Sequence, residues 1–410
     1  MSAGAGLLLW LTYRDVLLWG DTDPQHRAAL FGPDASLRRE LLDAARGRLP
    51  GEACAALELL TSTMRGSEAG DAAQVAYCCH RLAEWAVLVG TPRTAFAMAV
   101  AAAAALPEDA GCAIHAGRAA RAARMDVAAE TWFRRAIGLA RRSMDWASYA
   151  DGWLELGRIH AARVVDSARW SEEVGAAPST ISELDRRVSP SRISSEIQPG
   201  RGDAERARHC LVAAARAARR RGLARTRVQA YRELFRVTAA AGAYGLARRY
   251  ARLALRMRGW DPDQRNSLQQ ELAALMLRAG DNPRRAMLML QAVAAGRRTA
   301  PEKIETLLLL VQAAGKARDR AGLQRAWLDG INLIRQLGET GDACRWLVRL
   351  AGIADRSGER ARAGYAARMA YALAVRLEDS ALAGEAAALL GHPAGKRTME
   401  RPMPDACWTF

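Results

Sequence analysis

The chain is short of aromatic side chains, which make up 6% of its 410 residues, and short of lysine: only Lys303, Lys316 and Lys396 stand among 60 basic residues. β-Branched runs that would mark strands are missing, which sets aside a sheet protein. No apolar stretch reaches 18 residues, so no transmembrane helix is expected. No basic residue precedes the apolar run Leu7–Leu11, and Arg14 and Asp15 follow it at once, so a cleaved secretory signal is not expected. The seven cysteines (Cys54, Cys78, Cys79, Cys112, Cys210, Cys344, Cys407) are odd in number and form no C-x-x-C pair. They read as small hydrophobes in a reducing cytoplasm. Cys78, Cys79 and His80 are adjacent, and neighbouring side chains diverge by about 100° around a helix, so the three cannot share a metal. No Gly-rich phosphate loop, H-E-x-x-H or Ser–His–Asp set occurs, and the six histidines are scattered. Neither catalysis nor a cofactor or metal is expected.

Half of the residues are hydrophobic, with alanine and leucine prominent. Among them a small-residue pattern recurs: Gly90, Ala95, Ala99, Ala102; Gly202, Ala207, Leu211, Ala214; Gly242, Ala247, Ala251, Ala254; Gly358, Ala363, Ala367, Ala370. A fixed pattern at a roughly constant period predicts stacked copies of one helix pair sharing an elongated core. Residues 1–70 read as an N-terminal helical cap, with helices at 35–46 and 51–65 and with Trp10 and Trp19 buried. Repeats are expected over 71–165, a disordered Ser/Pro-rich insertion over 166–201, further repeats and a capping helix over 202–390, and a flexible tail over 391–410. Within the repeats the predicted pairs are 72–89 with 92–106, 110–124 with 127–142, and then a helix through Trp153 whose partner starts at Asp203. The series continues with 225–241 and 244–258, 263–279 and 283–296, 301–318 and 321–337, and 342–356 and 360–376. Thr91, Asp126, Asp261 and Asn282 are expected N-caps, and Pro92, Pro262 and Pro283 fill first helical positions, where a missing N–H costs nothing. Between the helices of a pair stand Gly90, Gly202, Gly242, Gly280 and Gly358, with Arg124 and about Ala321 as stand-ins.

Trp153, Leu156 and Gly157 resemble the W-x-x-L-G opening of tetratricopeptide repeats, and Ala207, Leu211 and Ala214 match that family's A-x-x-x-[apolar]-x-x-A. The resemblance covers about residues 72–376. It implies an all-α, right-handed superhelical solenoid of antiparallel helix pairs, without catalytic activity, that binds a protein or peptide along the concave wall of first helices. The position just after the Leu-Gly pair is Arg158, and its counterparts are Arg118 and Arg236, so three successive copies are expected to stack arginines as a ladder. Arg121 and Arg232 share those faces, and Arg278, Arg318, Arg345 and Arg356 follow farther along. Guanidinium groups pair with carboxylate or phosphate, so an acidic partner is expected. The groove asparagines of carboxylate-binding relatives have no counterpart here. The net charge of +16 fits either a selected basic surface or an arginine excess from a GC-rich genome. A nucleic-acid partner, or a ligand-sensing role in a regulatory system, remains as an alternative, and no membrane partner is expected.

Overall fold

The computed structural model describes residues 3–19, 22, 26, 35–46, 49–65, 71–176, 199–258, 260–297 and 299–391. Among them there is helix and no strand. The chain divides into two compact units, Met1–Arg258 and Gly259–Phe410.

The first unit opens with α1 (Ala3–Trp19), α2 (Ala35–Arg46) and α3 (Gly51–Arg65). Leu8, Leu9, Leu11, Val16 and Trp19 form one buried face of α1. Trp10, expected to be buried with Trp19, lies on the opposite face and is 56% exposed. The Arg14 guanidinium covers its ring at 5.7 Å. Fully buried Asp15 pairs with buried Arg38, tying α1 to α2, and Arg14 Nε donates to the other Asp15 oxygen at 2.8 Å. Two strong guanidinium bonds compensate a carboxylate that would otherwise lose its hydration.

Four hairpins follow in this unit: α4 (Ala72–Leu88) with α5 (Pro92–Ala105), α6 (Ala110–Ala122) with α7 (Asp126–Arg142), α8 (Trp146–Ala176) with α9 (Pro199–Arg220), and α10 (Ala224–Ala240) with α11 (Tyr244–Leu255). The caps α1 and α3 pack on α5 and α4 respectively. First helices α4, α6, α8 and α10 touch in sequence, whereas second helices α5, α7 and α9 do not pack on one another to that extent. A double row more closely spaced on one side curves toward that side, so the first helices form the inner wall of this unit.

The motif's small residues set this spacing. A Cβ on Gly117 would stand 2.5 Å from the buried Phe133 ring, and one on Gly157 would stand 2.7 Å from Leu211. Ala129 and Ala207, at the matching places of α7 and α9, are fully buried. First and second helices therefore approach at a glycine–alanine crossing, with one bulky side chain filling the groove beside it.

The second unit repeats the plan with α12 (Pro262–Arg278) and α13 (Pro283–Gly296), α14 (Ala300–Ala317) and α15 (Arg320–Arg335), α16 (Gly341–Arg356) and α17 (Arg360–Arg376), closed by α18 (Ser380–Leu389). Its first helices are richer in leucine: Leu268, Leu272, Leu307, Leu308, Leu347 and Leu350 are buried. Buried Gln270 Oε1 accepts from Thr306 Oγ1 at 3.1 Å and from Arg297 Nη2 at 2.7 Å, joining α12 to α14.

Several expected boundaries shift. The segment expected to be disordered from residue 166 is helical as far as Ala176, because no glycine or proline interrupts it before Gly175. The partner helix starts at Pro199 rather than Asp203, so Gly202 lies inside α9 and is no turn residue. Asp203 Oδ1 instead stands 3.3 Å from His160 Nδ1. In the tight turn of α10/α11, Gly242 has φ +72°, and the glycine-free turn of α6/α7 puts Arg124 there at φ 61°. The stand-in in the α14/α15 turn is Arg318, at φ 55°, and not Ala321. Asn282 caps α13 by accepting from Arg285 N at 3.1 Å, but Thr91 and Asp261 make no side-chain cap bond, and Thr91 donates to Ala86 O. Asp126 falls inside the first turn of α7, behind Met125 at the cap position.

Among the described residues no helix is long and apolar enough to cross a membrane. The six described cysteines are buried and unpaired. The serine-rich stretch 177–198, with Arg186, Arg187 and Ser189, and the tail from His392, with Cys407, lie outside the described residues.

Candidate partner-binding wall

Periodicity puts Arg118 on α6, Arg158 on α8 and Arg236 on α10 at one place in three consecutive hairpins, each one residue after the crossing position held by Gly117, Gly157 and Phe235. The side chains do not stack on one another. Carboxylates stand between them. Glu155, 2% exposed, accepts from Arg118 Nε at 2.9 Å and Arg158 Nη1 at 3.1 Å, both on Oε1. Arg121 Nη1 lies 2.8 Å from its Oε2, at an angle that makes no hydrogen bond. Arg158 also donates Nη2 to Gln229 Oε1 at 3.2 Å and places Nε 3.6 Å from Glu233 Oε1. Arg236 Nη1 is 3.9 Å from that same oxygen. Asp151 completes the set, 3.7 Å from Arg118 and accepting from Thr226 Oγ1 at 3.0 Å.

The ladder is thus an alternating chain of charge, Arg118–Glu155–Arg158–Glu233–Arg236, that crosses three first helices. Burial alone would raise the Glu155 pKa. The adjacent Arg158, Arg121 and Arg118 guanidiniums outweigh burial and hold the group below its ordinary value, so it is ionised at neutral pH. Glu155 is the residue that arginine spacing alone did not reveal. Its signal in the sequence is a charge set between Leu154 and Leu156, on a helix stretch that must be buried, three residues from Arg158.

Five arginines (Arg118, Arg121, Arg158, Arg232, Arg236) face three carboxylates (Asp151, Glu155, Glu233) on α6, α8 and α10. Arg118 and Arg236 keep 41% and 40% of their side chains exposed, so part of each guanidinium edge faces water. Arg232 is half-buried on α10.

The second unit does not gather its four expected residues. Arg278 and Arg356 end α12 and α16, and Arg318 caps α14, so these three occupy the carboxyl ends of successive first helices. Positive charge there is favoured by the helix dipole. Arg345 is the fifth residue of α16, about 16 Å along the axis from Arg356, and pairs with Asp342 at 2.9 Å on the surface.

A second cluster lies between α4 and α6. The His80 and His115 ring centroids are 4.5 Å apart, and His80 Nε2 is 3.3 Å from Cys112 Sγ. Burial, then repulsion from His115, pushes His80 down to about 4, and burial lowers His115 as well. Burial first, with Asp109 adding to it, pushes Cys112 up to about 12, which leaves a neutral thiol and two neutral imidazoles at pH 7. No trio of His, Cys, Asp or Glu suited to a metal occurs among the described residues. On the side of the second helices, Arg134, Trp153, His160, Arg206 and His209 line an open cavity of about 770 Å³.

No family model and no curated protein matches the chain. Solved helical-repeat proteins do match. Pseudomonas aeruginosa PilF has 15% identity and a TM-score of 0.41, over 66% of this chain and 96% of its own. The Rap conjugation gene regulator of plasmid pLS20, solved with the Phr* peptide, has 12% identity and a TM-score of 0.40, over 89% of this chain and 97% of its own. The TPR domain of P58(IPK) has 13% identity and a TM-score of 0.20, over 78% of this chain and 99% of its own. The architecture of tetratricopeptide-like helical hairpins stands on the packing described above.

Proposed function

We propose that the chain is a non-catalytic interaction scaffold of the reducing cytoplasm, and that the inner wall of its first unit holds an acidic segment of a partner protein. Arg118, Arg121, Arg158, Arg232 and Arg236 receive the segment's carboxylates. The observation that carries this reading is the row of partly exposed guanidiniums, Arg118, Arg158 and Arg236, across α6, α8 and α10. The wall's own carboxylates hold the guanidiniums in place from below, so a ligand meets groups already fixed and loses less side-chain entropy on binding. Unpaired buried cysteines support the reducing compartment.

The test begins with the immobilised full chain, partners from the native host being identified by mass spectrometry. The acidic segment of the recovered partner is then titrated by fluorescence anisotropy. Arg236→Glu, which removes a guanidinium 40% exposed on the wall, should weaken that segment's affinity roughly tenfold or more by placing like charge against it. The helical signal should stay unchanged. Equal affinity of the variant would refute the wall as the binding surface.

A further inference from the structure

The arginine excess is not spread along the chain. Residues 204–258, which span most of α9 and all of α10 and α11, hold fifteen arginines and two carboxylates, Glu205 and Glu233. That surplus of thirteen accounts for most of the chain's +16, and the other 355 residues contribute only three. A coding bias toward arginine would raise its level everywhere and would not remove aspartate and glutamate from one stretch. The concentration therefore belongs to this surface.

Much of it sits on the second helices, away from the inner wall. Arg206, Arg208, Arg216, Arg219 and Arg220 on α9 are exposed, as are Arg249, Arg252 and Arg256 on α11. Arg248, Arg252 and Arg256 recur at intervals of four, one row of side chains with steps of about 6 Å. With Gly245, Arg249 and Leu253 they line an open depression of about 530 Å³. No carboxylate among the described residues pairs with Arg249, Arg252 or Arg256.

We propose that this face binds the phosphodiester backbone of a nucleic acid, without reading its sequence. Phosphates of one duplex strand follow each other every ~3.4 Å along the axis, so each ~6 Å step of the row reaches about every second phosphate. The chemistry of the face favours this over the alternatives. The interface of a folded protein needs apolar or aromatic anchors at its centre, unlike a single acidic segment such as the one proposed for the inner wall, and Leu253 is the one large apolar side chain in the depression. A membrane surface needs several apolar groups to insert, and the apolar face of α11, Ala247, Ala251 and Ala254, is fully buried, which leaves Leu246, 41% exposed, as the one well-exposed large apolar side chain of that helix. Base stacking is not on offer, because Tyr250 is already stacked on Tyr231 and Arg227 covers the latter's ring.

The experiment uses the full chain and a fluorescein-labelled 24-base-pair DNA duplex of arbitrary sequence, followed by anisotropy at 50 and 200 mM KCl. A duplex RNA of the same sequence is run alongside to tell which nucleic acid is held more tightly. Two charge-matched variants are compared: R249E/R252E/R256E on α11, and R285E/R320E/R325E at exposed positions of the second unit. Circular dichroism confirms that both fold. Each phosphate contact contributes about 0.9 to the salt slope, so losing three means that wild-type affinity falls ~40-fold more than the α11 variant's between the two salt concentrations. The second-unit variant should keep the wild-type slope. The proposal is overturned if the wild type binds neither duplex at 50 mM salt, or if the two variants share one slope. Equally tight binding of polyglutamate lost in the same variant would assign the face to acidic protein, and binding of phosphatidylserine vesicles but no duplex would assign it to membranes. Either result ends the nucleic-acid reading.

Discussion

Glu155→Gln isolates the energetic role of the charge chain. The substitution keeps the volume of the side chain and removes one negative charge from beneath three guanidiniums. Taking one partner from a buried ion pair costs about 3–5 kcal/mol when the remaining charge is itself buried. Here Arg158, Arg121 and Arg118 keep 25%, 37% and 41% of their side chains exposed, so water replaces part of the lost interaction. A loss of roughly 2 kcal/mol is the reasonable expectation. For a unit of this size each kcal/mol moves the midpoint by about 2–4 °C, so calorimetry at pH 7 should show a drop of roughly 4–8 °C. The sign of the pH dependence follows from the depressed pKa. Stabilisation by Glu155 is complete above the carboxylate's ordinary value of 4.5 and disappears as pH falls through the lower folded value. Wild type and variant should therefore converge on acidification. An unchanged midpoint at pH 7, or a gap that persists undiminished to pH 3, would refute the account.

Three further outcomes follow from packing and burial. Gly117→Ala gains about 1 kcal/mol of helix propensity but drives a methyl into the Phe133 ring, so a net loss of about 1–2 kcal/mol is expected in urea titration, and any stabilisation would contradict the crossing geometry. Arg124→Gly relieves a left-handed residue at φ 61° and should stabilise by about 1 kcal/mol, read as a shift of the urea midpoint to higher concentration. His80 is held neutral by burial, with a folded value of about 4 against 6.5, so the unfolded chain takes up its proton first. Wild-type stability should fall as pH drops from 6.5 toward 4, and His80→Gln should flatten that part of the curve; identical profiles would remove His80 as the cause.

The helical hairpins were legible because their signals are local. Proline at the first position and an alanine crossing fix a helix pair without reference to distant residues, and α13 and α17 coincide with the predicted spans. What failed depended on surroundings. Trp10 and Trp19 sit nine positions apart in one apolar helix, and only the neighbours of α1 decide that one is buried and the other exposed. The α14/α15 turn was misplaced because arginine, rather than glycine, takes up the left-handed conformation at Arg318. Composition made 166–176 read as loop, yet the strong helix start at Trp146 carries on until its first glycine after Gly157. Spacing set three arginines of the wall in equivalent places. The carboxylates between them were hidden, since a pair separated by 37 residues, such as Arg118 and Glu155, leaves no periodic trace.

Sharing of acids between neighbouring hairpins has a mechanical consequence. Glu155 is gripped from α6 as well as from its own helix, and Arg158 reaches across to Glu233 on α10. A slide of α8 by a single residue would misalign the contacts on both flanks at once and would also carry Gly157 away from Leu211. The chain of opposite charges therefore acts as a vernier between first helices, adding to the crossings that set each first helix against its partner and holding three neighbours in one register.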